Sequence, residues 1–501
     1  MTGTSVEVTS PVDGRLVGTV PDQPSTQVAD VVAGLRGAQP AWEALDVAGR
    51  TRWLVSYRAW LLDHGDELNR ILQSETGKPW AEASLELPAI IDQLNYYLAI
   101  APGLLKDERP RPHGLLTATK RQLLVRRPHA VVGNITPWNF PLALSLADSL
   151  PALIAGAAVV VKPSELTPLT VAAAIGGWDE IGAPPVFACV TGLGATGAAV
   201  VDAVDYVQFT GSTRTGKLIA QRAGERLVPY SLELGGKDAM LVLADADLER
   251  AANAAVWGGF ANAGQMCTSV ERVYVEAPVY EEFVGLVADK TRELRVGDDA
   301  GDYTSDVGPL VASGQVDIVG RHVQEALAAG AKALVGGNRG EGPGNFFEPT
   351  VLVDVDETMA CVREETFGPT LPIMKVADAD EAVRRANDSP YGLSAVVFSR
   401  DAERAESVAR RLDAGAVNIN DVFANLFTLP LPMSGWKQSG IGARYGEHGL
   451  LKFCRTQAIV SARLAPKREL QWYPYTRARG TVIRRATRFL GARDLRRRLG
   501  G

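Results

Sequence analysis

Ala130-Val131-Val132-Gly133-Asn134-Ile135 and, one helix further on, Ala157-Ala158-Val159-Val160-Val161-Lys162-Pro163 are the stretches whose reading decides the fold. Each is a short, unbroken apolar run closed by a turn-forming or polar residue. Val186 to Val190, Tyr206 to Phe209 and Met240 to Leu243 repeat the pattern, with helical stretches between. A strand with one wet face alternates apolar and polar residues, whereas a strand covered on both faces is apolar throughout. Unbroken runs separated by helices therefore predict a parallel, doubly wound α/β sheet. Ligands of such sheets sit beyond the carboxyl ends of the strands.

Working outward, a second αβ series begins after Cys267. It comprises Val273-Tyr274-Val275, helices near Tyr280–Leu294 and Gln315–Ala329, strands at Thr350–Val355 and Ala395–Phe398, a helix over Ala402–Leu412, and Gly415–Asn420. This places a boundary between two α/β domains near Leu234 to Lys237. Upstream, residues 1–27 read as an extended start, and Val28–Leu72 and Glu82–Leu104 as helices that cover the sheet. Leu115–Arg127 alternates in the manner of an exposed β-ribbon.

A chain of 501 residues exceeds what one core supports, so at least two domains are expected. The net charge of −6 argues against a nucleic-acid binder, but it is unevenly spread. Residues 467–501 carry eleven basic against two acidic side chains, a net +9, which leaves −15 on residues 1–466. The four cysteines form no CxxC pair and the five histidines no HExxH, so no metal is expected and the chain suits a reducing compartment. Met1–Ser10 lacks a signal-peptide layout, and the apolar run near Leu150–Val161 is short and broken by Pro151. A cytoplasmic protein is expected.

Several residues at strand ends and turns can carry chemistry. Gly264-Gln265-Met266-Cys267-Thr268-Ser269 presents one cysteine on a small-residue turn, as an activated nucleophile or as one more buried apolar side chain. Glu233, in Leu232-Glu233-Leu234-Gly235-Gly236-Lys237, is either a general base or a paired structural charge. Asn139, in Pro137-Trp138-Asn139-Phe140-Pro141, is an oxyanion donor alongside the Cys267 backbone N–H, or an Asx-turn residue. Gly192-Leu193-Gly194-Ala195-Thr196-Gly197 fits GxGxxG, a weak motif among 50 glycines. Glu165, in Lys162-Pro163-Ser164-Glu165, suits ribose hydroxyls and repels a 2′-phosphate. Thr210-Gly211-Ser212-Thr213 opens a helix whose free N–H groups suit a pyrophosphate. A cysteine nucleophile, an amide donor, a carboxylate base and a dinucleotide site together suit oxidation of an aldehyde through a thiohemiacetal and a thioester.

With those residues in place, the chain resembles the NAD(P)-dependent aldehyde dehydrogenase superfamily along almost its whole length. The matching stretches are PWNFP (137–141), KPSE (162–165), FTGSTRTG (209–216), LELGGK (232–237), GQMCTS (264–269), EETFGP (364–369) and SGIG (439–442). The resemblance implies Cys267 as nucleophile, Glu233 as general base and Asn139 as oxyanion donor. It implies Lys162 and Glu165 at the adenosine ribose, Gly211 and Ser212 at the pyrophosphate, and Glu365 and Phe367 at the nicotinamide ribose and ring. Ile135, Trp138, Gly194, Leu234 and Gly235 complete the expected cofactor-binding set, with NAD expected over NADP. The implied architecture is a dinucleotide-binding domain (1–110 and 129–234), a catalytic domain (235–435) and an oligomerisation β-ribbon (111–128 and 451–462) that joins a homodimer or homotetramer.

Departures from the family pattern bear on substrate. Ala147 and Ala261 stand where succinate-semialdehyde enzymes often carry arginine and short-chain enzymes aromatics, which suggests a wide apolar channel walled by Phe423 and Phe427. A medium- or long-chain, or bulky, apolar aldehyde is the expected substrate. The second substrate reading is succinate semialdehyde held through Arg444 or Arg272. A reading of another class is a non-catalytic NAD-binding scaffold, against which an intact Cys267, Glu233 and Asn139 count. Asp148 replaces the lysine of many members, and Arg444 interrupts the stretch where a glutamate usually follows. The 467–501 tail, with apolar residues near helical spacing among arginines, is either a basic amphipathic helix for an anionic membrane or a segment packed on the acidic body.

Overall fold

The computed structural model describes residues 5–114, 117–494 and 498. Residues 1–4, 115–116 of the expected ribbon, and 495–497 and 499–501 of the tail lie outside the described residues. The chain divides into two compact units, one of Met1–Leu104 with Pro128–Cys454, the other of Leu105–Arg127 with Arg455–Gly501.

The larger unit contains two mainly parallel sheets. The first runs in the order Gly440–Ile441, Tyr230–Glu233, Tyr206–Thr210, Val131–Ile135, Ala158–Lys162, Phe187–Cys189, parallel except for its first, antiparallel edge strand. Every residue of Val131–Ile135, Ala158–Lys162 and Tyr206–Thr210 is buried, as the unbroken apolar runs require. Gly133 permits close packing of a helix on this sheet: a Cβ there would stand 2.7 Å from Val200 of the Gly194–Ala203 helix. Four helices, Ser25–Ala44, Asp46–Asp63, Gly65–Thr76 and Trp80–Leu104, cover the sheet with Pro141–Ala155. Trp42, Tyr57 and Trp178 interlock edge-to-face, and Trp42 Nε1 and Tyr57 OH donate to the Leu153 and Ala174 carbonyls at 2.9 and 2.7 Å.

The second sheet has seven strands in the order Lys332–Val335, Thr350–Val353, Thr370–Val376, Val270–Glu276, Asp238–Val242, Ser394–Phe398, Ala416–Ile419. Only the pairing of Lys332–Val335 with Thr350–Val353 is antiparallel. Leu234–Lys237 is the four-residue passage from the last long strand of the first sheet to a central strand of the second. The sequence reading needs two corrections. The extended start is a hairpin of Ser5–Thr9 and Leu16–Pro21 followed by a helix already under way at Ser25, and the strands Lys332–Val335 and Thr370–Val376 were not expected.

In the smaller unit, Lys120–Pro128 pairs with Cys454–Ala462 as a two-stranded ribbon, and Lys120 Nζ reaches Glu469 at 2.5 Å. The Arg477–Gly491 helix starts at Thr476, whose side chain accepts the Arg479 N–H, and buries none of its residues. Among the described residues, no helix is long and apolar enough to cross a membrane.

Candidate active site

Cys267 is placed by an unusual turn. The Leu248–Phe260 helix ends in Ala261, and Asn262, Ala263 and Gly264 then follow with φ of 51°, 54° and 73°. Three successive left-handed residues, two of them not glycine, persist only where their surroundings hold them. Here the Asn262 N–H donates to Glu82 Oε1 at 2.7 Å, and Asn262 Nδ2 donates to the Asn139 and Gln265 carbonyls at 3.1 and 3.2 Å. Gln265 Nε2 donates back to the Asn262 carbonyl at 3.0 Å, while its Oε1 accepts the Val311 N–H at 2.9 Å. Two glycines allow the approach: a Cβ on Gly264 would meet the Gly368 carbonyl at 2.2 Å, and one on Gly236 would meet the Cys267 carbonyl at 2.5 Å. LELGGK and GQMCTS are thus complementary surfaces. Asn139 joins the same knot, its Nδ2 donating to the Gln265 carbonyl at 2.9 Å and keeping its second N–H for another acceptor.

Electrostatics set the resting state. Burial pushes the Cys267 thiol up to about 12, with Asp238 adding to the effect and Arg444 opposing it. The resting cysteine is therefore a thiol. Glu233 ends the Tyr230–Glu233 strand, buried, with neither carboxyl oxygen hydrogen-bonded. Burial raises it to about 7, against the pull of Arg444 and Lys452, and a carboxyl poised there can take a proton near neutral pH.

Cys267 is reached from two sides. A cleft between the sheets is walled by Trp138, Asn139, Gly211, Ser212, Glu233, Leu234, Gly235, Cys267, Glu365 and Phe367. Ser212 caps the Thr213–Glu225 helix, whose remaining N–H groups suit an anion. Glu365 Oε1 accepts the Gly236 N–H at 2.9 Å, and its carboxylate occupies the space that a side chain on residue 235 would fill. Trp138 and Phe367 meet edge-to-face at 5.4 Å, and Glu271, paired with Lys237 at 2.5 Å, accepts the Thr366 and Phe367 N–H groups. The other nucleotide candidates stand elsewhere on the same strand ends. Ile135 is in register with Lys162, Lys162 Nζ lies 3.3 Å from a half-exposed Glu165, and the space around Gly194 is open. That open glycine, the helix N-terminus and the half-exposed Glu165 fit a dinucleotide.

On the other side a tunnel leads to Cys267 past Leu85, Phe140, Leu144, Trp257, Ala261, Met266, Phe423, Leu426 and Phe427. Leu85, Trp257 and Phe427 are exposed at its mouth. Ala147 does not face it; that residue is buried, with its carbonyl accepting from Gln93 Nε2 at 2.8 Å. Glu82 and Glu86 also stand on the wall, residues that no motif marks. Glu86 is bonded to Lys78 at 2.6 Å and to the Ala143 N–H, whereas Glu82 Oε2 is buried without a partner. Both arginines proposed for a carboxylate substrate are engaged by the chain's own groups, Arg444 on the tunnel wall and Arg272 away from it. Arg444 is held by Asp148 and Thr210, and Arg272 donates to the Lys237 and Ala386 carbonyls.

The sequence model of the aldehyde dehydrogenase family matches residues 1–459. A Mycobacterium ulcerans protein named "Putative succinate-semialdehyde dehydrogenase (NADP+) 2" is 41% identical over 455 residues, covering 90% of this chain and 87% of its own. The 4,4′-diapolycopene aldehyde oxidase of a Methylomonas species is 41% identical over 482 residues, 94% of this chain and 89% of its own. Among solved structures, the "Putative Aldehyde Dehydrogenase PutA" of Anabaena variabilis superposes with a TM-score of 0.90 at 36% identity, over 94% of this chain and 100% of that one. Matched from end to end of its larger unit by sequence and by fold, the chain belongs to the aldehyde dehydrogenase family and is an oxidoreductase acting on aldehydes.

Proposed function

We propose that the chain oxidises a medium- or long-chain, or bulky, apolar aldehyde to the carboxylic acid, with Cys267, Glu233 and Asn139 as the catalytic residues and NAD as acceptor. The observation that carries this reading is the tunnel: lined mainly by apolar side chains between its exposed mouth and Cys267, with Glu82 and Glu86 also on its wall. Among the described residues, the one cation facing it, Arg444, is already bonded to Asp148. A substrate carboxylate would meet Glu82 and lose its hydration without gaining a partner.

In this reading Glu233 takes the Cys267 proton, and the sulfur adds to the aldehyde carbon. The new oxyanion receives the free Asn139 N–H and the Cys267 backbone N–H. A pyridine nucleotide bound in the cleft supplies the hydride acceptor. Trp138, Glu365 and Phe367 would hold its nicotinamide end, Gly211 and Ser212 its pyrophosphate, and Lys162 and Glu165 its adenosine ribose. Loss of hydride leaves a thioester on Cys267. Once Glu233 has released the cysteine's proton to solvent it deprotonates a water, which attacks the thioester carbon and expels the Cys267 thiolate, releasing the acid.

Glu165 supports NAD, since a carboxylate at the adenosine ribose would repel a 2′-phosphate; the M. ulcerans relative's name specifies NADP. Comparing kcat/KM for the two nucleotides decides between them. NAD is expected to be preferred, and Glu165→Gln to narrow the preference at least tenfold. The substrate test is NADH formation over aldehydes from propanal to dodecanal plus succinate semialdehyde, with Cys267→Ser as the inactive control. A rate that rises with chain length supports the reading, and a preference for succinate semialdehyde overturns it. The same reading sets the Arg477–Gly491 helix against an anionic lipid surface, where such aldehydes partition, and gives the exposed Cys454–Ala462 edge to a second copy of the chain.

A further inference from the structure

Behind Glu233 lies a buried cluster of charge that the reaction as described does not use. Glu233 is in register with Thr210 on one side and Gly440 on the other. Arg444 donates through Nε and Nη2 to Asp148 Oδ2 at 3.0 and 2.5 Å, and through Nη2 to Thr210 Oγ1 at 3.0 Å. Lys452 Nζ donates to Asp148 Oδ1 at 2.8 Å and Gln208 Oε1 at 2.9 Å. Two cations and one anion therefore sit in a dry interior, beside a carboxyl whose own oxygens have no partner. The other titratable groups that act on Glu233 are Tyr206, Tyr445 and Cys267, and burial keeps the proton on each. Among the described residues, the charges that act on Glu233 near neutral pH are those of Arg444, Lys452 and Asp148.

We propose that Arg444 and Lys452, oriented by Asp148, are positioning residues that set the pH at which Glu233 becomes a base. A net positive cluster stabilises the carboxylate and offsets part of the cost of burying it. Asp148 is needed for a second reason. Without it Arg444 would be free to turn onto Glu233, and a directly paired carboxylate is a poor proton acceptor. Asp148 keeps the guanidinium close to Glu233 and bonded elsewhere. The inference rests on the reading of Glu233 as the base, and the two can be tested apart.

The experiment is hydrolysis of 4-nitrophenyl acetate from pH 5 to 9, which needs no nucleotide. The burst of nitrophenol reads acylation of Cys267, and the steady state reads deacylation. Arg444→Met removes a positive charge and should move the rising limb of deacylation up by about one pH unit. Asp148→Asn removes a negative charge and should move the limb down, and Arg444→Lys should restore it. If Arg444→Met does not fold, Lys452→Met should give the same upward shift. Limbs that stay at the wild-type pH, or that all move the same way, overturn the inference. A limb that persists in Glu233→Gln overturns instead the assignment of Glu233 as the base.

Discussion

Glu233 binds its proton more tightly in the native state than in the unfolded chain. Burial lifts the carboxyl from 4.5 to about 7 against the opposing charges of Arg444 and Lys452. Between those two values the native state holds the extra proton, so stability falls as pH rises through that window. Glu233→Gln removes the buried charge. Its melting temperature at pH 8 is expected to exceed that of the wild type by on the order of 2 °C, with the difference gone at pH 4, while turnover falls about 10²- to 10³-fold. Thermal scans at both pH values and steady-state rates check this, and a variant less stable at pH 8 would mean that the carboxylate has a stabilising partner. Cys267, Glu233 and Asn139 could be nominated from the sequence because each lies inside a short local motif, and the fold lines one cleft with all three. Glu82 could not, because its bond to the cysteine turn joins residues 180 positions apart. The engagement of Arg444 with Asp148, across 296 positions, was equally hidden.

At the scale of elements, the unbroken valine-rich strands were legible because burial on both faces writes itself into every position. Thr370–Val376 escaped for the opposite reason. Pro372 argues against a central strand, yet here it is in register with Leu352 between two parallel neighbours. Lys332–Val335 is a short edge strand with two exposed positions, too brief to stand out from a loop. The Arg477–Gly491 helix presents Val482, Ile483, Ala486, Phe489 and Leu490 near helical spacing among five arginines, after exposed Trp472, Tyr473 and Tyr475. An exposed stripe of that composition suits the headgroup boundary of an anionic bilayer, where each basic residue contributes about 1 kcal/mol. The full chain should therefore pellet with phosphatidylserine vesicles at low salt and be released at 0.5 M salt, a working concentration chosen because the Debye length there is only about 4 Å. A chain ending at residue 469 should remain in the supernatant. Equal pelleting of the two forms would assign the helix to a protein surface instead.

For the molecule as a whole, two sheets meet at Leu234–Lys237, and Cys267 stands where that junction is open on both sides. The cleft and the tunnel share Asn139, Leu144 and Cys267, so a change deep in the tunnel risks disturbing both. Ala261 is better placed: it lines the tunnel but not the cleft, on the last residue before the left-handed turn. A phenylalanine there would extend across the channel toward Phe423 and Phe427 without touching the nucleotide side. Short aldehydes need only the space next to the sulfur, whereas long ones need the whole channel. Ala261→Phe should therefore lower kcat/KM for dodecanal about 10- to 100-fold, the cost of roughly 1–3 kcal/mol of steric conflict. The value for propanal should stay within about threefold, and KM for the nucleotide should not change. If dodecanal and propanal fall together, the substitution has displaced Cys267 itself. If neither falls, long chains do not use this tunnel, and the apolar-substrate reading loses the observation that carries it.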